Sequence, residues 1–271
     1  MALTQEGKEL TEANRLAQLQ LSANAIIEAK ASWRLLNVNN LDSSFNRWVA
    51  VQLEILRRYH QKSKAATAAY LREYRGAELG VTSGVIISPL FPVAEMTNVM
   101  RVGGPVALKQ AIKKGALPEV AHAEGFNLLS GLVNRQVLSG GRSLVDETTK
   151  SDYGAIGWRR ASDGNPCTFC GMLVSRGAVY RSKRSSEGDV LRPSRRGGDK
   201  LLFHGHCGCT AEIVYGEWIP NKTEQKWVDA YDKAAKQADN AGEPRTQENI
   251  LWRMRDNGGF RDSPDVRNKQ P

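Results

Sequence analysis

Four cysteines and four histidines are all that this 271-residue chain contains. The cysteines form two pairs. Cys167 and Cys170 make a C-x-x-C turn in "NPCTFCGML". Cys207 and Cys209 make a C-x-C turn in "FHGHCGC", beside His204 and His206. A C-x-x-C turn can aim two thiolates at one ion while backbone N–H groups steady the sulfurs. Zn²⁺ prefers four nitrogen or sulfur ligands in a tetrahedron, so ligands from each half would staple two distant stretches together. The expected metal ligands are Cys167, Cys170, Cys207, Cys209 and His204. Cys167, Cys170 and Cys209 belong to the favoured sets, and Cys207, His204 or His206 completes the shell. Two disulfides, or four reduced core cysteines, are the competing arrangements, but nothing in the chain suggests secretion, and clustered cysteines in a reducing compartment point to metal. The ligand supply exceeds four and no H-E-x-x-H or H-x-E motif occurs, which favours a closed structural site over a catalytic one.

The elements that must position these residues change character along the chain. Residues 4–36 predict a helix with Leu16, Leu19, Ala23, Ile26 and Ile27 on one face. After the break "NVNNLDSS", with an N-cap at Asp42, Ser43 or Ser44, a second helix is predicted over 44–79. Its stripe runs from Phe45, Trp48, Val49, Gln52, Leu53, Leu56, Tyr59 and His60 to Ala66, Ala69 and Tyr70. Two long helices on a short loop predict an antiparallel hairpin. Shorter helices are expected near 93–115 and 118–139, with Pro105 and Pro118 where first-turn prolines are tolerated and Gly140-Gly141 as a stop. Strand-like stretches follow at 154–162 and 209–220, with a helical turn and a strand within 171–182. Helices return at 224–238 and 246–256. The expected class is α+β and mostly helical. Its parts are a helical region (1–150), a small α+β domain with the Cys/His motif (151–220), C-terminal helices (221–257) and a disordered tail (258–271).

The totals narrow the function classes. Net charge is +9, which favours an anionic partner, nucleic acid first. Residues 181–200 carry seven basic residues against three acidic. They form either a DNA-touching loop or a solvated hairpin tip. No apolar run approaches the ~18 residues needed to span a bilayer, and no signal-peptide pattern opens the chain. A soluble protein made in a cytoplasm is expected.

The order Trp158-Arg159-Arg160, then "DGNPCTFCGMLVSRGAVY", a polar loop, then "FHGHCGCTAEIVY" resembles the Mu F-like minor head (head-morphogenesis) proteins of tailed bacteriophages, particularly their actinobacteriophage forms. His204, Cys207 and Cys209 match the family's His followed by Cys-x-Cys. Pro166, Cys167, Cys170 and Tyr180 match the upstream pair of the actinobacterial forms. The motif likeness covers roughly residues 155–215, and the helical region matches in character only. The resemblance implies a minor capsid protein inside the procapsid near the portal, in the virion after assembly in the host cytoplasm. Its implied partners are the portal and capsid or scaffold proteins, and its implied roles are head assembly and DNA packaging or ejection. Sequence-independent contact with packaged DNA would suit the basic balance.

Related sequences are often described as capsid maturation proteases, which makes a prohead protease the alternative. The residues for it are sparse. His60 and His122 are the only histidines outside the motif, no G-x-S-x-G occurs, and a thiol pair from Cys170 or Cys207 with His204 or His206 is conceivable only without metal. A zinc-knuckle nuclease would need acidic or histidine groups beside the knuckles, where Asp163, Glu212 and Glu217 are the nearby carboxylates. Trp227, Tyr231 and Trp252 on the C-terminal helices either dock a partner or pack back on the domain.

Overall fold

The computed structural model describes residues 2–84, 86–178, 180–181, 203 and 205–262. The class is α+β and mostly helical. Helices α1 (Gln5–Trp33) and α2 (Leu41–Leu79) form the expected hairpin. Then come α3 (Val93–Arg101), a π turn (Val102–Val106), α4 (Ala107–Lys113) and α5 (Pro118–Ser151). Strand β1 (Gly157–Ala161), α6 (Thr168–Ser175), β2 (Tyr180–Arg181) and β3 (Thr210–Val214) follow, then α7 (Lys222–Asn240) and α8 (Gln247–Asp256). The sheet is antiparallel in the order β2-β1-β3, with Trp158 opposite Ile213 and Arg160 opposite Ala211.

The stripe read on α2 is largely the buried one: Phe45, Trp48, Val49, Gln52, Leu56, Tyr59, His60 and Tyr70 all face inward. Helix α1 turns only part of its expected face inward, with Leu19 and Ile26 half-buried. Its inner face is Asn14, Gln18, Ser22, Ala25 and Ala29, whereas Leu16 and Ile27 are exposed. The cause is a polar seam. Gln18 donates to the Ser63 carbonyl and to Thr67 Oγ1, both at 3.0 Å, and Ser22 Oγ donates to Asn134 Oδ1 at 2.6 Å. Small side chains let the helices approach, and the hydrogen bonds remove the cost of burying polar groups.

Two glycines and a proline also behave differently from expectation. Gly140 and Gly141 do not end α5, which runs on to Ser151. A Cβ on Gly140 would lie 2.5 Å from the His60 carbonyl oxygen, and one on Gly141 2.3 Å from Thr67 Oγ1. These glycines serve close approach of α5 to α2, which outweighs their poor helix propensity of about 1 kcal/mol each. Pro118 opens α5 as a first-turn proline. Pro105 instead lies inside the π turn, where its missing N–H is absorbed by the widened hydrogen-bond register.

Three apolar cores result. The first joins α1, α2, α3, α4 and α5 around Trp33, Trp48, Leu56, Met100 and Leu129. The second lies where the C-terminal half of α2 meets α5 and the sheet, and contains Cys170, Cys207, Cys209 and Phe203. The third packs Met172 and Leu173 of α6 against Ala234, Ile250 and Met254 of α7 and α8. Trp227 is buried and Tyr231 packs against this third core, so both turn back on the protein. Residues 258–262, expected in the disordered tail, lie on α6: Phe260 sits against Gly171, and the Thr168 amide donates to Asp262 Oδ1 at 3.3 Å. Residues 263–271 and most of the basic stretch 181–200 lie outside the described residues.

A buried ion triad fastens α7 to the sheet. Arg159 on β1 donates to Glu212 on β3 at 2.9 Å and to Glu224 on α7 at 2.5 Å. Glu224 is also the third residue of α7 and closes a capping box with Asn221.

Candidate metal centre

Each half of the cysteine motif is shaped by its local backbone. Cys167 is the N-cap of α6, its extended backbone leading straight into the helix, and its Sγ accepts from the Cys170 amide at 3.5 Å. Cys170 therefore sits in the first helical turn and points into the core. The second half is a turn. His206 adopts a left-handed conformation (φ 58°), costly for a residue with a side chain. Its ring is held outside the cluster, with Nε2 3.1 Å from the Asn127 carbonyl and the ring over Gly131, where a Cβ would come within 2.7 Å. His206 is thus a spacer that reverses the chain and sends Cys207 inward, not a member of the ligand cluster.

The sulfurs of Cys170, Cys207 and Cys209 all lie within 4.8 Å of one another and are buried, with Cys170 and Cys207 at 3.5 Å. Two thiolates at ordinary Zn–S distance in a tetrahedron are about 3.8 Å apart. The donor set and its spacing therefore fit one soft metal ion. Cys167 is half-buried and stands beside Cys170, but not within that distance of all three sulfurs. His204 lies outside the described residues. The structure joins none of the four cysteines in a disulfide, unlike the arrangement with two disulfides.

Around the sulfurs the protein gathers positive charge. Arg160 Nη1 is 3.5 Å from Cys170 Sγ and 3.7 Å from Cys207 Sγ. Arg142 on α5 donates through Nη2 to the carbonyls of Cys207 (2.8 Å) and Cys209 (2.6 Å), and through Nε to Cys209 (3.1 Å). Asn134, eight residues before it on α5, donates to the Cys207 carbonyl at 3.1 Å. The Phe203 ring has a guanidinium 3.8 Å from its centroid (Arg142) and another at 3.7 Å (Arg160). Two groups at that distance from one centroid must occupy opposite faces.

This setting polarises the thiols. Hydrogen bonds from the Cys170 and Cys209 thiols hold the Cys207 sulfur well below the usual thiol range. The guanidiniums of Arg142 and Arg160 act in the same direction, against burial. Cys170, surrounded by the sulfurs of Cys167, Cys207 and Cys209, is pushed up. Burial brings Arg142 down to about 10, partly offset by the neighbouring Cys207. The cluster thus favours an anionic sulfur facing cations, the state a metal ligand needs.

Sequence reasoning found the cysteines and missed their support. Arg160 stands in the "WRR" stretch and Phe203 in "FHGHCGC", but neither showed its role. Arg142 was hidden in "SGGRS", a stretch read as a helix end.

The histidines outside the motif do not form a protease constellation. His60 is buried, edge-on to Phe91, and its Nδ1 lies 3.0 Å from the Gln136 carbonyl. A carbonyl only accepts, so Nδ1 carries the proton. Ser139 Oγ, 3.4 Å from the same nitrogen, donates to the same carbonyl at 2.7 Å. His60 Nδ1 is therefore a fellow donor rather than a base for Ser139. His122 stacks on Trp33. Glu212, one of the carboxylates nearest the knuckles, is engaged by Arg159.

The site and fold define a mostly helical α+β protein with a buried thiol cluster clamped between its longest helices and a small sheet. The model of the VG15 protein family matches residues 5–234. The chain belongs to that family, a family of phage virion proteins. No curated protein and no solved structure matches it. Among the described residues, no helix is long and apolar enough to cross a membrane.

Proposed function

We propose that this chain is a Mu F-like minor head protein that lies inside the procapsid near the portal, aiding head assembly and DNA packaging or ejection, with a structural Zn²⁺ in its cysteine cluster. The family match over residues 5–234, most of the chain, supports a phage virion protein, and the cysteine motif carries the Mu F-like part of the reading. The Pro-Cys-x-x-Cys and His-x-x-Cys-x-Cys spacing agrees with it. When bound, the metal would cross-link α6 to the turn before β3. Cys170, Cys207 and Cys209 would hold it, with Cys167 or His204 available as the fourth ligand. Three thiolates in a dry core suit zinc better than a hard cation.

Portal and capsid or scaffold proteins are the partners in this reading. The exposed apolar residues Leu16, Ala23 and Ile27 on one side of α1 supply a face for such a contact. The net positive charge suits sequence-independent contact with packaged DNA. Mass spectrometry of purified procapsids and virions, with cross-linking, tests the assignment. A few copies per particle cross-linked to the portal are expected. Absence from procapsids, or cleavage of the major capsid protein by the purified chain, would replace it with another role, the latter with the maturation protease.

A further inference from the structure

We infer that Arg142, acting with Arg160 across the Phe203 ring, is the counter-charge of the metal–thiolate centre and sets how tightly that centre holds its ion. The inference rests on the metal reading above and concerns groups outside the ligand set.

Arg142 is 2% exposed, yet among the described residues no carboxylate pairs with it. Its bonds go to two carbonyl oxygens, and its Nη1 is buried without a hydrogen-bond partner. A guanidinium buried against neutral groups alone is costly, because desolvation is not offset by an opposite charge. Among the described residues, the groups whose negative charge would act on it are the sulfurs of Cys207, Cys209 and Cys170, the first two belonging to the residues whose carbonyls it grips. If Cys207 and Cys209 are thiolates on an ion, the cost is offset.

Arg160 supplies the second cation directly at the sulfurs, 3.5 and 3.7 Å away. Two buried guanidiniums this close would repel each other. Phe203 lies between them and presents a negative π-face to each. The three residues therefore have separate tasks: Arg142 fixes both carbonyls of the Cys-Gly-Cys turn and supplies charge, Arg160 faces the sulfurs, and Phe203 keeps the cations apart. Outer-sphere partners of this kind typically change metal affinity about 10- to 100-fold when removed.

The test is competition for Zn²⁺ between the full chain and a chromogenic chelator, for wild type, R142Q, R142K and F203L, with circular dichroism as a check of folding. R142Q should bind Zn²⁺ about 10-fold or more weakly. R142K, which keeps the charge and loses the fork, should recover most of that loss. Equal weakening in R142Q and R142K would reduce Arg142 to a backbone clamp and overturn the inference, as would wild-type affinity in R142Q. Should R142Q fail to fold, F203L decides: weakening of about 10-fold or more supports the inference, and any smaller change overturns it. Failure of wild-type protein to bind Zn²⁺ would instead remove the metal reading itself, and this inference with it.

Discussion

At the scale of single residues, the cysteines are separated by their surroundings rather than by their chemistry. Cys170, Cys207 and Cys209 are buried within reach of one ion, whereas Cys167 is half-buried at the edge. C209S should therefore strip the metal and lower the melting temperature by several degrees, since a ligand and a core sulfur are lost together. Elemental analysis and thermal denaturation of the purified variant read both effects. C167S should be milder in stability because its sulfur is less enclosed.

His60 carries a pH dependence. Burial lowers its pKa below the usual value, with the Gln136 carbonyl opposing. The folded state then takes up its proton less readily than the unfolded state. Its contribution to stability is full above about pH 6.5 and is lost as pH falls through the lowered folded value. H60N, whose amide can still donate to the Gln136 carbonyl, should flatten that part of the curve. Urea midpoints at pH 7.5 and 5.5 for both proteins measure it. An equal drop in the two would assign the dependence to other groups.

At the scale of elements, two junctions matter most. The first is the crossing of α2 and α5, where Gly140 and Gly141 have no room for a side chain. G141V should force α5 away from Thr67 and cost about 1–3 kcal/mol or more, read as a lowered urea midpoint. The second is the start of α7, where Glu224 both closes a capping box and pairs with buried Arg159. E224A should cost about 3 kcal/mol, near the lower end for a broken buried pair because Glu212 remains. E224Q should cost less, because glutamine keeps an acceptor for the Asn221 amide. The two variants compared by chemical denaturation separate the cap from the charge.

At the scale of the whole molecule, the cysteine turn and the helical body are not independent. Carbonyls of Cys207 and Cys209 are held by Asn134 and Arg142 of α5, and Trp158 of β1 donates to Asp146 of the same helix at 2.8 Å. Removing metal should therefore lower the melting temperature of the whole chain in one transition, by about 10 °C or more for several kcal/mol of lost binding energy. Calorimetry before and after chelation would show it. Two separate transitions, with the helical one unmoved, would mean that the clamp does not transmit stability.

Much of this architecture is legible from composition and period. The hairpin of α1 and α2, the helices at 222–240 and 247–256, the strands near 157–161 and 210–214 and the cysteine pairs follow from local patterns. Helical and strand periods and ligand spacing are short-range properties of a chain. What failed depended on neighbours distant in sequence. Leu16 and Ile27 read as core, but the polar residues beside them find hydrogen-bonding partners on α2 and α5 and take the inside. Gly140-Gly141 read as a stop because nothing local announces a helix pressing against them.

The same division holds at the site. The sequence by itself determined which sulfurs are available and that they come in pairs able to meet on one ion. Only the tertiary structure decided that His206 turns outward to the Asn127 carbonyl while Arg142, Arg160 and Phe203 close around the cluster. Ligand chemistry is a property of residue types and short spacings. The burial and charge that tune it come mostly from contacts distant in sequence, such as those 65 residues apart between Arg142 and Cys207 and 79 apart between His206 and Asn127, and no local pattern encodes those.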